Sequence, residues 1–355
     1  MDAKQELLNY KKALDRKLDQ YFSRKLEEMR EFGPSARGAV KSIREMTLAG
    51  GKRLRAAFMY WGYKVAGGKD DEKIIEASMS IELTHIFLLI HDDIIDQDDF
   101  RHGIKAIHKK YEGLARKFYR QTEPKHFGES LAIIVGDMAA AFGNDIIFNS
   151  DFEPARKQQA LSKLQEIVVN TVSGEILDVM LEAKGKATEK EILEVHRNKT
   201  AKYTVEGPLH LGALLAGTDK KDLETLSAYS IPIGIAFQIQ DDILGVFGSE
   251  KKLGKPVCSD LREGKQTLLI AKALEFGGPA ERKTVKRLLG KRDVTEDEIE
   301  IFRNVIRSTG SLEYSQKLAK KFVAEGKSVL EDLHPQRNIK DFLTGIADYI
   351  VNREV

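Results

Sequence analysis

The sequence predicts an all-α protein built as a single large helical bundle. Only 8 prolines interrupt the 355 residues, and 42% of the residues are apolar, which is enough for a sizeable core. In most segments the apolar residues recur at helical spacing. Alternation with period two is nearly absent, and hairpin dipeptides do not separate β-branched runs, so the sequence does not predict a sheet.

The helices can be justified in chain order. Residues 14–26 carry an apolar side chain at every fourth position, until Gly33-Pro34 ends the first helix. Residues 81–90 are apolar almost all round, as expected of a buried helix. Further helices are predicted at 131–148, 228–247, 314–330 and 339–351, with connections at 67–71, 121–129, 248–263 and 277–279. None of these connections is a convincing linker, so residues 1–355 are predicted to form one domain.

Charge and cysteine content exclude several classes of protein. Lys and Arg number 57 against 55 Asp and Glu, a net charge of +2, whereas nucleic-acid binders usually carry a basic excess. The single cysteine, Cys258, fits a reducing compartment. The N-terminal residues lack the apolar stretch of a signal peptide, and no run approaches the ~20 apolar residues of a membrane span. We therefore expect a cytoplasmic protein without integral membrane association.

The first acidic cluster follows the apolar segment 81–90. Five aspartates fall between Asp92 and Asp99, and Asp92 and Asp96 share one helix face. Such carboxylates repel each other unless a cation lies between them, and oxygen ligands favour Mg²⁺ or Ca²⁺. The spacing of an EF-hand is absent. Taken alone, the cluster is also compatible with a solvated helix end.

A second acidic pair, Asp241-Asp242, ends the apolar segment 228–247, 149 residues after Asp92. The two clusters therefore lie on separate elements that could face each other across a bundle. Mg²⁺ is commonly bound by one or two carboxylates together with substrate phosphates. The pattern predicts a ligand with a diphosphate head and a hydrocarbon tail.

Basic residues that could contact a diphosphate occur in short groups. Three of them lie in the segment Gly50–Arg55, on two glycines that allow a close backbone approach. The remaining candidates are Arg101, Lys199, Lys255 and Lys265. A P-loop is excluded, since Gly248 and Gly254 are six residues apart and Pro256 stands where Ser or Thr would bind Mg²⁺.

Together these motifs resemble the trans-isoprenyl diphosphate synthases of the polyprenyl synthetase family. The matching segments, in the family's order, are GGKRLR (50–55), HDDIID (91–96), Arg101, Gly103, GD (136–137), KTA (199–201), FQIQDDIL (237–244) and GKP…SDLREGKQTLL (254–269). The resemblance implies an all-α bundle around a central cavity, working as a homodimer. It also implies Mg²⁺-dependent condensation of isopentenyl diphosphate with an allylic diphosphate, with about three ions bound.

The resemblance assigns roles to individual residues. Asp92, Asp96 and Asp241 would coordinate Mg²⁺, with Asp93 and Asp242 accepting hydrogen bonds behind them. The allylic substrate or its leaving diphosphate would be contacted by Arg101, Lys199, Thr200, Gln238, Lys255 and Lys265. Isopentenyl diphosphate would be held by Lys52, Arg55, His85 and His102. No protein nucleophile or general base is implied.

Two residues depart from the family pattern. Gly245 replaces the third aspartate of the second motif, and His102 replaces the second arginine of an RRG segment. A neutral His102 would weaken the clamp on isopentenyl diphosphate, and we expect protonation near pH 6.5 to restore it. Phe87 lies five residues before Asp92, with Leu88 and Thr84 beside it, a pattern that resembles the geranylgeranyl (C20) synthases.

Three alternatives stay open from the sequence. The product could instead be farnesyl (C15) or longer, C25–C30. A class I terpene cyclase also uses an Asp-rich metal motif, although it would not need the set of Lys52, Arg55 and His85. A non-catalytic partner subunit would be expected to lack one aspartate pair, and both pairs are present here.

Overall fold

The computed structural model describes residues 2–248, 257–331, 333 and 336–352, and it confirms the all-α prediction. The helices are α1 (Ala3–Glu28), α2 (Gly33–Ala49), α3 (Leu54–Val65), α4 (Asp71–Ile95), α5 (Ile107–Phe118), α6 (Pro124–Phe148), α7 (Pro154–Lys184), α8 (Glu189–Val195), a π-helix (His196–Glu206), α9 (Gly207–Ala216), α10 (Lys220–Phe247), α11 (Ser259–Glu263), α12 (Leu268–Phe276), α13 (Pro279–Leu288), α14 (Glu296–Ser308), α15 (Ser311–Ser328), a 3₁₀ turn (Val329–Glu331) and α16 (Arg337–Val351). Within the described ranges the only strands are β1 (Phe100–Arg101) and β2 (Ile104–Lys105), an antiparallel pair that the sequence did not predict.

Side-chain caps define where several helices begin. Asp70 accepts a hydrogen bond from the Lys73 amide at the start of α4, and Asp219 does the same for α10. Capping boxes of Thr188 with Glu191 and of Thr295 with Glu298 open α8 and α14. These bonds satisfy amide groups that have no acceptor within the helix.

One predicted connection was wrong over part of its length. Glu123 accepts hydrogen bonds from the Lys125 and His126 amides, and Pro124 occupies the first turn of α6. Because proline is well suited to that position, residues 124–129 are helical rather than a loop. Helix α11 likewise occupies the end of the predicted connection 248–263.

The described chain forms two compact units. The first unit comprises Gln5–Leu164 and Leu211–Gly217. Within it, α4 packs closely along α6 because two glycines lie seven residues apart on α6. A Cβ atom at Gly136 would lie 2.4 Å from His91 Nε2, and one at Gly143 would lie 2.9 Å from Thr84 Oγ1. This contact holds the helix that carries the first acidic cluster.

The second unit comprises Met1–Lys4, Gln165–His210 and Thr218–Val355. Its central helix is α10, which packs against the π-helix and α15. A Cβ atom at Gly234 would lie 2.4 Å from Ala201 Cα, so this glycine lets α10 approach the π-helix. Tyr229 is fully buried and donates a hydrogen bond to the Leu343 carbonyl at 2.8 Å. The prediction of one domain over 1–355 stays a prediction.

Two helices, α4 and α6, are long and apolar enough to cross a membrane by length and composition. That finding differs from the expectation that no run would approach a membrane span. Of the most apolar window, 61% is buried inside the protein in α4 and 44% in α6. Core helices of soluble proteins pass the same test, so this is weak evidence for a span.

Candidate active site

The first acidic cluster lies at the end of α4. Asp92 is within the last turn and Asp96 caps it, so both carboxylates lie on one face, as predicted. Asp93 lies on another face and is fully buried. The adjacent aspartates therefore differ: Asp93 points into the protein, whereas Asp92 and Asp96 are half-buried.

Arg101 returns to this cluster through the hairpin of β1 and β2. The turn between the strands is formed by His102 and Gly103, both with left-handed backbone (φ 52° and 78°). The Arg101 guanidinium donates to Asp93 Oδ1 at 2.6 Å and to Asp98 Oδ2 at 3.0 Å, and it lies 3.4 Å from Asp92 Oδ2. The hairpin therefore brings Arg101 back onto the first acidic cluster.

Burial and charge act against each other in this cluster. Burial raises the pKa of Asp93 to about 7, although Arg101 favours the carboxylate. Burial also lowers the pKa of Arg101, but the surrounding carboxylates outweigh it and the net shift is upward. Arg101 is therefore a permanent cation within an acidic cluster.

The basic segment 50–55 divides into an inward and an outward part. Arg53 is only 4% exposed and has left-handed backbone (φ 56°). Its guanidinium lies 2.8 Å from Asp15 Oδ1 and 3.2 Å from Glu82 Oε2, and it donates to the Thr47 carbonyl. This arginine is thus an internal link between helices, whereas Lys52 is exposed.

Arg55 and His85, both predicted to bind isopentenyl diphosphate, are brought together by the fold. Arg55 Nη1 lies 3.2 Å from His85 Nε2. Burial and then the charge of Arg55 hold the pKa of His85 well below its ordinary value, so this imidazole is neutral near pH 7. A neutral imidazole can donate one hydrogen bond while adding no charge.

His102 packs against Gly50, where a Cβ atom would lie 3.0 Å from His102 Cγ. Burial, followed by the charges of Arg101 and Arg53, lowers the pKa of His102 to about 4. The expectation that His102 becomes protonated near pH 6.5 is therefore wrong. This histidine cannot replace the charge of an arginine at neutral pH.

The second acidic pair also divides into an exposed and a buried aspartate. Asp241 is exposed, whereas Asp242 is 5% exposed. Gln238 Nε2 donates to Asp242 Oδ1 at 2.7 Å, and the Thr200 hydroxyl donates to Gln238 Oε1 at 2.7 Å. On the other side, His196 Nε2 lies 3.3 Å from Asp242 Oδ2. Burial raises the pKa of Asp242, and His196 opposes that shift.

Thr200 and Lys199 lie on the π-helix, a conformation that occurs frequently at functional sites. The Lys199 ammonium lies 2.7 Å from both Glu175 and Asp178 on α7. A Cβ atom at Gly174 would lie 2.4 Å from the Lys199 amide nitrogen, so this glycine permits the contact. Sequence reasoning missed Glu175, Asp178 and His196. An acidic pair three residues apart beside a glycine was the available signal.

Gly245 has a neighbour that the sequence did not reveal. A Cβ atom at this position would lie 3.4 Å from Asp260 Oδ2. The Cys258 amide donates to the Gly245 carbonyl at 2.8 Å, which holds the start of α11 against α10. A carboxylate at residue 245 would therefore place a second negative charge near that of Asp260.

The remaining predicted residues have diverse surroundings. Lys265 Nζ lies 3.1 Å from Glu263 Oε2, and Lys255 lies outside the described residues. Phe87 is half-buried with its ring edge-on to His91 at 5.0 Å. Leu88 is half-buried as well, whereas Thr84 is buried and donates to the Ser80 carbonyl.

The donor atoms suit a hard divalent cation that also binds a substrate. Each acidic cluster offers carboxylate oxygens, and Mg²⁺ prefers oxygen ligands. The buried Asp93 Oδ2 makes no hydrogen bond. Among the described residues, no group of three or more His, Cys, Asp or Glu is arranged to hold a metal by itself. Two carboxylates completed by phosphate oxygens fit this arrangement.

Comparison with known proteins identifies one family and relatives with related names. The sequence model of the polyprenyl synthetase family matches residues 38–306. The geranylgeranyl diphosphate synthase of Methanosarcina mazei is 35% identical over 316 residues, covering 88% of this chain and 89% of the relative. The geranylfarnesyl diphosphate synthase of Aeropyrum pernix is 32% identical, with coverages of 86% and 91%.

A solved structure shares the fold over nearly its whole length. It is the geranylgeranyl pyrophosphate synthase of Corynebacterium glutamicum, complexed with isoprenyl diphosphate and magnesium. The similarity has a TM-score of 0.92 at 31% identity and covers 97% of this chain and 99% of that one.

Proposed function

The chain belongs to the polyprenyl synthetase family, and from that premise we propose that it condenses isopentenyl diphosphate with an allylic diphosphate. The product proposed is geranylgeranyl diphosphate, the product named for two relatives that are 35% and 34% identical to this chain. One observation carries the proposal: the half-buried Asp92 and Asp96 lie beside the buried Asp93, and the exposed Asp241 lies beside the buried Asp242.

In the first unit, Asp92 and Asp96 would hold Mg²⁺ on the allylic diphosphate. Asp93 binds Arg101, which fixes the direction of the guanidinium beside these carboxylates. Lys52, Arg55, His85 and His102 would hold isopentenyl diphosphate. Arg53 is buried behind them and orients the segment through Asp15 and Glu82.

In the second unit, Asp241 would hold a further Mg²⁺ ion. Asp242 is held by Gln238 and His196, and Thr200 extends this chain of hydrogen bonds. Lys199, Lys255 and Lys265 would contact the leaving diphosphate. Since Lys199 is ion-paired with Glu175 and Asp178, these two carboxylates set the position of its ammonium.

Bound Mg²⁺, three ions in our proposal, would neutralise the charge that develops on the leaving diphosphate when the allylic C–O bond ionises. Arg101 and the lysines would act on the same charge. Apolar side chains of α4 exclude water from the reacting carbons. The double bond of isopentenyl diphosphate is the nucleophile, and the last proton can pass to the released diphosphate, so the protein needs no general base.

We further propose that the protein is a cytoplasmic homodimer. The second-unit part of α7 exposes Val169, Val172, Ile176, Val179 and Met180, and α6 exposes Ile133, Ile134 and Phe148. Exposed apolar residues in contiguous groups commonly mark subunit interfaces. Light scattering tests this: a dimer is expected for the wild type, and Ile176→Lys with Met180→Lys should give a monomer.

The reaction is tested by incubating the purified protein with isopentenyl diphosphate, Mg²⁺ and each of the C5, C10 and C15 primers. Chromatography of the dephosphorylated products is expected to show a C20 alcohol as the main species. Release of a hydrocarbon without consumption of isopentenyl diphosphate would identify a cyclase. Absence of turnover in the isolated chain would favour a non-catalytic subunit.

A further inference from the structure

One basic stretch of the chain takes no part in the proposed chemistry. Residues 105–126 contain seven Lys or Arg and two Glu, a net charge of +5, whereas the whole chain carries +2. They comprise α5 and its connection to α6, and the stretch follows directly from the hairpin that carries Arg101.

The end of α5 presents an unusual sequence to solvent. Five consecutive residues, Arg116-Lys117-Phe118-Tyr119-Arg120, are all exposed; we refer to them as the RKFYR segment. Phe118 is 59% exposed and Tyr119 is 50% exposed. Two adjacent aromatic rings flanked by three cations therefore occupy one short surface.

This segment is held in place rather than hanging from the protein. The other face of α5 buries Ile107 and Ala115, and α5 packs against α6. A Cβ atom at Gly128 would lie 2.4 Å from the His108 carbonyl, so this glycine allows the two helices to come close. The Tyr119 ring packs against Phe127 at 5.3 Å.

The cations of the segment are only partly compensated. Arg116 pairs with Glu112. In the described part of the chain, neither Lys117 nor Arg120 forms an ion pair with an acidic side chain, and the Lys117 ammonium lies over the Phe118 ring at 5.0 Å. Lys117 and Arg120 could therefore contact an anionic surface without first breaking an ion pair with an acidic side chain.

We propose that the RKFYR segment docks the protein on an anionic lipid surface. Aromatic side chains favour the headgroup region of a bilayer, and clustered Lys and Arg bind its anionic lipids. Two exposed aromatic residues at one helix end suit shallow insertion, while the near-neutral chain is poorly suited to a polyanionic nucleic acid. The proposal of a lipid surface also rests on the proposed function, since a bilayer is a suitable destination for a product with a long hydrocarbon tail.

Cosedimentation with vesicles tests the docking on the full chain. One set of vesicles contains phosphatidylglycerol and phosphatidylcholine, and the other contains phosphatidylcholine alone. The wild type is expected to bind the anionic vesicles and to dissociate at high salt. Neutralising Lys117→Gln with Arg120→Gln should weaken binding about thirtyfold, and Phe118→Ser with Tyr119→Ser should weaken it at high salt as well as at low salt.

A matched control distinguishes the contribution of the RKFYR segment from that of positive charge elsewhere on the surface. Lys283→Gln with Lys286→Gln removes the same charge from an exposed face of α13 and should leave binding unchanged. Equal loss in both double variants, or absence of vesicle binding in the wild type, would overturn the proposal. Binding to heparin without binding to vesicles would also overturn it, in favour of an acidic macromolecule.

The docking and the enzymatic activity can fail independently. Turnover of C5 and C10 primers is measured without vesicles, where the RKFYR variants should match the wild type. A chain that binds vesicles but forms no product keeps the docking site and loses the proposed reaction. A chain that forms product but does not bind vesicles keeps the proposed reaction and loses the docking site.

Discussion

The two acidic helix ends each bury one aspartate, but they compensate it differently. At the end of α4, Asp93 lies against the guanidinium of Arg101, a permanent charge. At the end of α10, Asp242 lies against the Gln238 amide and the His196 imidazole. Burial raises the pKa of both aspartates.

The difference shows how much each end depends on a single neighbour. Arg101 interacts with three carboxylates, so its loss leaves several negative charges together. At the second end, the buried carboxylate is stabilised by a chain of hydrogen bonds from Thr200 through Gln238 to Asp242. Single substitutions should therefore be more damaging at the first end.

The largest effect is expected for Arg101→Gln. It should reduce kcat about a thousandfold, because a fixed cation near the developing charge is lost. The buried Asp93 would also lose its partner, which should lower the free energy of unfolding by about 3–5 kcal/mol. Kinetics with the C15 primer and thermal melting measure both effects. Arg101→Lys serves as the control and should recover part of kcat and part of the free energy of unfolding. A loss of kcat below tenfold in Arg101→Gln would contradict the role of Arg101.

At the second end, Gln238→Ala should reduce kcat between tenfold and a hundredfold. Leaving a buried acceptor unsatisfied costs about 1–3 kcal/mol. Thr200→Val removes only the outer hydrogen bond and should have a smaller effect in the same assay. If Gln238→Ala proved as damaging as Arg101→Gln, the contrast between the two ends would be wrong.

The role of Phe87, on α4, can be tested through product length. Phe87→Ala should move the main product from C20 to C25 or longer, raising the ratio of long to C20 products about tenfold, because removal of the half-buried ring leaves space for a longer hydrocarbon tail. Product sizing by chromatography measures the ratio. Leu88→Ala provides a comparison on the same helix. A product distribution like that of the wild type in Phe87→Ala would show that Phe87 does not limit product length.

A third aspartate at the second end is expected to be unfavourable in this chain. Gly245→Asp would place its carboxylate beside Asp260, at a cost of about 1 kcal/mol, which corresponds to about fivefold in kcat/KM. Gly245→Asn matches it in size without the charge and should be nearly neutral. Adding Asp260→Asn to Gly245→Asp should restore activity. Failure of that double variant to recover would show that crowding with Asp260 is not the reason for glycine.

The smallest effect is expected for His102→Arg, which should lower KM for isopentenyl diphosphate about fivefold through a charge-assisted hydrogen bond. Because the pKa of His102 is about 4, the wild-type KM should show no transition from this group between pH 6 and 8. Initial rates across that range test both statements. An unchanged or higher KM in the variant would count against the assignment.

Much of the site could be predicted from local spacing. Asp92 and Asp96 are four residues apart, and helix geometry alone places them on one face. The apolar segment 81–90 likewise indicates a buried helix without any tertiary information. The all-α class, the paired carboxylates and the basic segments follow from such short-range patterns, whereas the family is indicated by a resemblance spread over residues 50–269.

Only the tertiary structure decided what each charged residue contacts. Charge alone does not distinguish Lys52, Arg53 and Arg55, yet Arg53 is buried because Asp15 and Glu82 on two other helices meet there. The sequence also predicts an ordinary pKa for His102, which burial beside Arg101 lowers. Burial and ion pairing depend on segments distant along the chain, and no local pattern encodes them.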